Sequence, residues 1–169
     1  MEQAIKSGTQ VGVIADTHGL LRPEAIAALR GSDLILHAGD IGKPEVLAGL
    51  QAIPTPASGQ SPMPVIAIRG NNDKASWAEA IPEQESIKIA DISIHMLHIL
   101  QELKFAPQAA GFQVVISGHS HKPLIEERGG VLYVNPGSAG PKRFKLPMSV
   151  ARLSITGAKV QAEIVPLAV

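Results

Sequence analysis

The sequence predicts an α/β protein made of two facing sheets with helices on the outside, and three observations carry that expectation. In the first half, short apolar runs alternate with helical segments that open on proline. In the second half, strand-like runs follow one another with little helix between them. Most of the apolar runs in the first two thirds of the chain lead into Asp, Asn or His, often beside Gly. Alternation of strand, turn and helix favours parallel pairing, because parallel strands need crossover connections.

The elements follow in order. Residues 11–16, VGVIAD, form an apolar run that closes on a polar turn. Residues 23–30 read as a helix, with Pro23 at the first helical position and Gly31 just past the end. The unit recurs as a strand at 33–37, a Gly-Asp turn and a short helix at 44–50. Residues 54–64 hold four prolines among Ser and Gly and predict a flexible surface loop. They lack the charged or aromatic side chains that a lid over a ligand would need. A third strand at 65–68 runs into Arg69-Gly70-Asn71-Asn72-Asp73. Further strands are expected at 86–90, 92–98, 114–117, 124–127, 131–134, 148–155 and 159–165, the last two joined by a Thr156-Gly157 turn. Residues 100–110 suggest a helix that Pro107 bends or shortens. No repeat of solenoid length is present, and the reading is a tail at 1–10 followed by one domain over 11–169.

Composition bounds the function. Of 169 residues, 45% are hydrophobic and 18% charged, which is the composition of a chain that buries a core. Lys+Arg 15 balances Asp+Glu 15, which argues against binding nucleic acid through a basic coat. The absence of cysteine removes disulfides, thiolate metal sites and cysteine nucleophiles. The first ten residues have no apolar core of a secretory signal, and no stretch reaches the roughly 18 apolar residues of a membrane span. A soluble cytoplasmic protein is expected.

The polar residues at the strand ends are the informative feature. Asp16 and His18 follow the first run, Asp40 the second, Asn71 and Asp73 the third; His98 ends the fifth, and His119 and His121 follow residues 114–118. In open α/β sheets ligands gather beyond the carboxyl ends of the strands, so these residues converge on one rim. Two carboxylates, one carboxamide and four imidazoles suit Mn, Fe, Co, Ni or Zn better than Ca or Mg alone. The spacings Asp16-x-His18 and His119-x-His121 would place each pair on one side of an extended backbone. Seven ligands exceed the needs of one ion, whereas two ions sharing Asp40 use them all.

In chain order, Asp16-Thr17-His18, Gly39-Asp40, Gly70-Asn71-Asn72-Asp73, His98, Gly118-His119-Ser120-His121 and Asn135-Pro136-Gly137-Ser138 resemble the calcineurin-like metallophosphoesterases, in particular the small bacterial and archaeal phosphodiesterases. The resemblance covers about residue 11 to the end. It implies a four-layer α/β/β/α sandwich of two mixed sheets. It further implies that Asp16, His18 and His121 hold one metal, that Asn71, His98 and His119 hold another, and that Asp40 bridges them. Mn²⁺ is the usual activating ion in such relatives; Ni²⁺, Fe²⁺, Co²⁺ and Zn²⁺ suit the same donors. Two departures stand out. The family's His-Gly-His after the fifth strand is His98-Ile99-Leu100 here, and Asn72 stands where larger phosphatases carry a histidine.

The expected activity is hydrolysis of a small-molecule phosphodiester by a hydroxide bridging two divalent ions. Asp40 and Asn71 are the catalytic candidates, and Asn71 and Asn72 are the substrate contacts. The rival is a protein-interaction scaffold of the same fold, like the retromer subunit that has lost part of its catalytic set. The complete ligand set favours the enzyme. Relatives of this size resemble dimers, so a homodimer is compatible with the reading. His37 and His95 match no ligand position and read as packed, hydrogen-bonded histidines; Asp73 reads as a cap for the segment after it. The residues 135–138 read either as a simple turn or, as the resemblance implies, as a turn beside the site whose backbone N–H groups would meet phosphate, and Lys142 and Arg143 read as solvated surface.

Overall fold

A computed structural model describes residues 8–56, 62–142 and 145–169. Strand β1 (Thr9–Ile14) lies at the centre of a sheet ordered β10-β9-β1-β2-β3, with β2 at Leu34–His37, β3 at Val65–Ala67, β9 at Ser149–Thr156 and β10 at Lys159–Pro166. The second sheet is ordered β4-β5-β6-β8-β7, with β4 at Gln84–Ile89, β5 at Ile92–Leu97, β6 at Val114–Ile116, β7 at Leu124–Arg128 and β8 at Val131–Asn135. Both are mixed. β1, β2 and β3 pair in parallel, as do β5, β6 and β8, and antiparallel strands complete each sheet.

Side-chain alternation explains how the sheets stack. Val11 and Val13 of β1, with Ala15 just past its end, share one buried cluster with Ile92, Ile94 and Met96 of β5, joined by Val114, Ile116, Leu36 and Leu153. The opposite face of the first sheet carries Ile14 and Ile35, which pack under α1 (Pro23–Leu29) and α2 (Pro44–Gln51) through Ala25, Leu29, Val46 and Leu50. Pro23 and Pro44 open these helices, where a missing N–H costs nothing. The outer face of the second sheet has a thinner cover, with Leu97, Val115 and Val131 packed against Leu100, Leu103 and Tyr133.

Three expectations need correction or adjustment. The 100–110 segment is not an α-helix: only a 3₁₀ turn, Leu100–Glu102, forms before the chain leaves in turns. Its apolar residues Leu100 and Leu103 lie on the sheet instead of repeating on one helical face. β1 starts at Thr9, inside the expected tail, because Thr9 and Gln10 pair with Ile155 and Ser154 of β9. Part of the 54–64 loop lies outside the described residues, but its far end is anchored, since Met63 is buried and its N–H donates to the Gln51 carbonyl.

The parallel strands β1, β2, β3, β5, β6 and β8 all point their carboxyl ends at one rim, which is where the polar residues stand. Because the inter-sheet core holds that rim together, Ile94→Ala should cost about 2–5 kcal/mol in a urea titration. Leu124→Ala, at a site 37% exposed, should stay within about 0.5 kcal/mol.

Candidate metal centre

The rim loops are shaped by unusual backbone. Asp16, His18, Asp40, His119 and His121 all have positive φ, between 47° and 74°, and Ala90 is the only other non-glycine so placed among the described residues. Such conformations cost free energy and persist where the surroundings over-determine them. The extended geometry expected for Asp16-x-His18 and His119-x-His121 is therefore absent, and left-handed turns aim these side chains instead. In consequence the second pair divides. The His121 ring lies against His18, with centroids 5.4 Å apart, while the His119 ring stands edge-on to His98 at 5.3 Å.

Backbone bonds tie one loop to the next. Asp16 N–H donates to Gly39 O at 3.0 Å, and His18 N–H to Asp40 O at 3.0 Å. His119 N–H donates to Asp16 Oδ2 at 3.0 Å, bringing the β6 loop to the β1 loop across the two sheets. Two glycines permit the approach. A Cβ on Gly39, whose φ is +102°, would sit 2.6 Å from His98 Nδ1, and one on Gly70 would collide with the Asp40 carboxylate and backbone.

Asp16 and Asp40 are buried at the centre, with 0% and 2% exposure. Asp16 Oδ1 lies 3.5 Å from His121 Nε2 and 3.6 Å from His98 Nε2. Asp40 Oδ2 lies 3.3 Å from His98 Nε2 and 3.8 Å from His18 Nε2. Two groups of three donors result, Asp16 with His18 and His121, and Asp16 with Asp40 and His98, each drawn together within 4.8 Å. Asp16 belongs to both, and Asp40 reaches from His98 toward His18. Asn71 shares a cavity wall with His98.

These donors suit a metal cation. Asp16 Oδ1, His98 Nε2 and His121 Nδ1 are buried without a hydrogen-bond partner, an arrangement that proteins avoid unless another group satisfies them. His98 Nδ1 lies 2.7 Å from the Ala38 carbonyl, so that nitrogen carries the proton and Nε2 faces the carboxylates. A nitrogen lone pair 3.3 Å from a carboxylate oxygen needs a proton or a cation between them. The electrostatics have the same sense. Burial lowers the His98 pKa, but Asp40, Asp16 and the Ala38 carbonyl outweigh it and raise the group above its ordinary value. Burial would raise Asp40, yet the His98 ring beside it and bonds from Asn72 hold its carboxyl well below the usual range.

The remaining polar residues serve the loops. Asn72 donates through its backbone N–H to Asp40 Oδ1 and through Nδ2 to Asp40 Oδ2, both at 2.9 Å, so the amide expected to meet substrate is engaged with the central carboxylate. Asp73 does not cap the following segment; it accepts N–H bonds from Ile41, Gly42 and Gly70, pinning the β2 loop to the β3 loop. The turn 135–138 also acts inward. Asn135 Nδ2 donates to Gly118 O, Gly137 N–H to Asn135 Oδ1, and Ser138 Oγ to Asp16 O. Its Gly137 N–H is thus used within the turn and not presented to phosphate. Arg143 lies outside the described residues.

A model of the calcineurin-like phosphoesterase superfamily domain matches residues 10–158. The chain belongs to that superfamily. A probable metallophosphoesterase of Methanothermobacter thermautotrophicus is 35% identical over 167 residues, covering 92% of this chain and 91% of the relative. A phosphodiesterase of Methanocaldococcus jannaschii is 27% identical over 146 residues, covering 76% and 82% respectively. The solved structure of Vps29 from Chaetomium thermophilum shares the fold, with a TM-score of 0.74 at 16% identity over 96% of this chain and 98% of the other. Among the described residues of this calcineurin-like chain, no helix is long and apolar enough to cross a membrane.

Three histidines stand apart from the donor groups: His119, an expected ligand that meets the centre through its edge-on contact with His98, and two that match no ligand position. His95 contacts Ser86 Oγ at 2.9 Å and Gln84 Oε1 at 2.8 Å, and meets Phe105 edge-on. His37 accepts from Gly39 N–H at Nδ1 and lies 3.0 Å from Thr17 Oγ1 at Nε2, while the Thr17 hydroxyl donates to Ile41 O. The supporting part of Thr17 is not visible in the sequence, where it is only the residue between two candidate ligands. Burial lowers the His37 pKa to about 3, against attraction from Asp73 that raises it. As pH falls from 6.5 toward 3, the unfolded chain takes up this proton and the folded chain does not, so His37 removes stability in that window. The drop in urea midpoint between pH 7 and pH 5 should therefore be smaller in His37→Asn, whose amide can still accept from Gly39.

Proposed function

We propose that the protein is a phosphodiesterase that works with two divalent metal ions. The observation that carries this reading is the pair of buried carboxylates, Asp16 and Asp40, facing His18, His98 and His121, with Asp16 Oδ1, His98 Nε2 and His121 Nδ1 left without a hydrogen-bond partner. In this reading Asp16, His18 and His121 hold one ion, Asn71, His98 and His119 hold the other, and Asp40 lies between them. When bound, such ions activate water at neutral pH and neutralise charge on a transferring phosphoryl group.

The chain's own residues set the stage for that chemistry. Asn72 fixes both oxygens of Asp40, so the carboxylate cannot rotate away from the centre. The Ala38 carbonyl holds the His98 ring in one tautomer and orientation. Asn71, exposed on the adjoining loop beside His98, is positioned to orient a phosphate oxygen through its amide. The phosphodiesterase name of one relative supports a diester over a monoester. The full donor set supports an enzyme over a scaffold, the role considered for this fold when catalytic residues are lost. One domain over 11–169, acting in the cytoplasm on a small-molecule substrate, completes the proposal.

Chelation followed by dialysis should abolish hydrolysis of bis-p-nitrophenyl phosphate, and Mn²⁺ should restore it; activity that survives metal removal would overturn the proposal. Asp40→Asn should lose most activity and bound metal by elemental analysis, because it removes negative charge between two cations. His95→Ala, on the far face of β5, should keep both.

Departure of an alkoxide needs a proton, and a positioned general acid contributes about 10²–10⁴-fold. The amide of Asn72 cannot supply that proton. Log rate plotted against leaving-group pKa should fall steeply, with aryl diesters cleaved faster than alkyl diesters; a flat plot would place an acid elsewhere.

A further inference from the structure

Two cavities flank the His98–His119 pair, and their charges differ in sign. The cavity beyond His98, about 200 Å³, is bounded by Arg69, Asn71, Glu83, Ile99 and Glu102. Arg69 is paired with Glu83 at 3.2 Å, which leaves the Glu102 carboxylate without an ion pair among the described residues. The cavity beyond His119, about 340 Å³, is bounded by Leu100, Lys122, Leu124, Arg128 and Asn135, and among the described residues no acidic side chain lines it. Arg128 is paired with Glu126 at 2.9 Å and lies over the Tyr133 ring at 4.8 Å. Lys122 makes no ion pair among the described residues, so its charge is uncompensated there.

The 3₁₀ turn Leu100–Glu102 is the partition. Its first residue, Leu100, lines the Lys122 cavity, and its last, Glu102, lines the other. A phosphodiester has two organic arms that leave phosphorus in different directions, and the two cavities adjoin different histidines, one His98 and the other His119. Leu100 and Leu124 add apolar wall to the basic cavity, which suits an aromatic body carrying an anionic group.

We propose that this site sorts the arms of its diester by charge: Lys122 binds a negatively charged group on one arm, and the other arm, uncharged or cationic, lies beside Glu102. The proposal rests on the phosphodiesterase reading and adds the substrate class, an asymmetric diester with one anionic arm. Lys122 is a specificity residue: it follows His121 in the chain, but its own side chain is exposed and belongs to neither donor group, so replacing it leaves the core intact.

The test uses three p-nitrophenyl diesters of the Mn²⁺-loaded full chain, with 4-carboxyphenyl, phenyl or 4-(trimethylammonio)phenyl as the second arm. At low salt kcat/KM should rank carboxyphenyl first, by up to about fivefold over phenyl, the upper range for one exposed charge pair. The advantage should vanish as salt shortens the Debye length from roughly 30 Å to roughly 3 Å. Lys122→Glu should reverse the order of the carboxyphenyl and trimethylammonio diesters, and Glu102→Lys should weaken the preference for a cationic partner arm. In parallel, calorimetry on the matching bis(arylmethyl)phosphinates, in which P–C bonds replace both ester bonds, reads the same order as Kd, without turnover. Equal Kd values for the three phosphinates, or an order unchanged in Lys122→Glu, would overturn the sorting. Failure to hydrolyse any diester would overturn the phosphodiesterase reading instead, and the Kd order would still decide the sorting.

Discussion

Two buried carboxylates separated from three imidazoles by 3.3–3.9 Å are the constraint on which the rest of the structure depends. Asp16 and Asp40 have lost their water, and like charges at that depth repel unless something positive stands between them. A hydrophobic core alone would expel such groups. Here the core does the opposite work: two sheets packed through Val13, Leu36, Ile94 and Ile116 bring the strand ends together, so that residues distant in sequence share a small volume.

Holding the donors there requires an inflexible rim. The loops are bonded to one another and not only to their own strands. Asp73 clasps the loops after β2 and β3, Asp16 Oδ2 takes the His119 N–H from the other sheet, and Ser138 reaches back to the Asp16 carbonyl. Left-handed backbone at five of the site residues is sustained by this cross-bonding. The second layer has its own polar economy: the neutral His37 links Thr17 to the Gly39 N–H beneath the centre, and His98 gives one nitrogen to a backbone carbonyl so that the other can face the carboxylates.

Much of this was legible in the sequence because strand ends are marked by composition. An apolar run of four to six residues closing on Asp, Asn or His states both where a strand stops and what stands at its rim. His95 could be set aside from period alone, since three residues along a strand reverse the face, and it does lie under Phe105 and Phe112 on the far side of β5. The 100–110 segment was misleading because its apolar residues are consistent with a helix, whereas Leu100 and Leu103 are placed by the exposed outer face of the second sheet.

The sequence by itself determined the inventory: which residue types stand after which strands, that thiolate chemistry is absent, and that the strands divide into a helix-linked half and a strand-rich half. These are local properties, set by side-chain chemistry and by periods of two and 3.6 residues. Only the tertiary structure decided how the inventory is used. It gave Asp73 to three backbone N–H groups, Asn72 to Asp40 and the turn at 135–138 to the neighbouring loops. A hydrogen bond between residues thirty or a hundred positions apart depends on sheet order and on the sign of φ at the turns, and no local pattern encodes either.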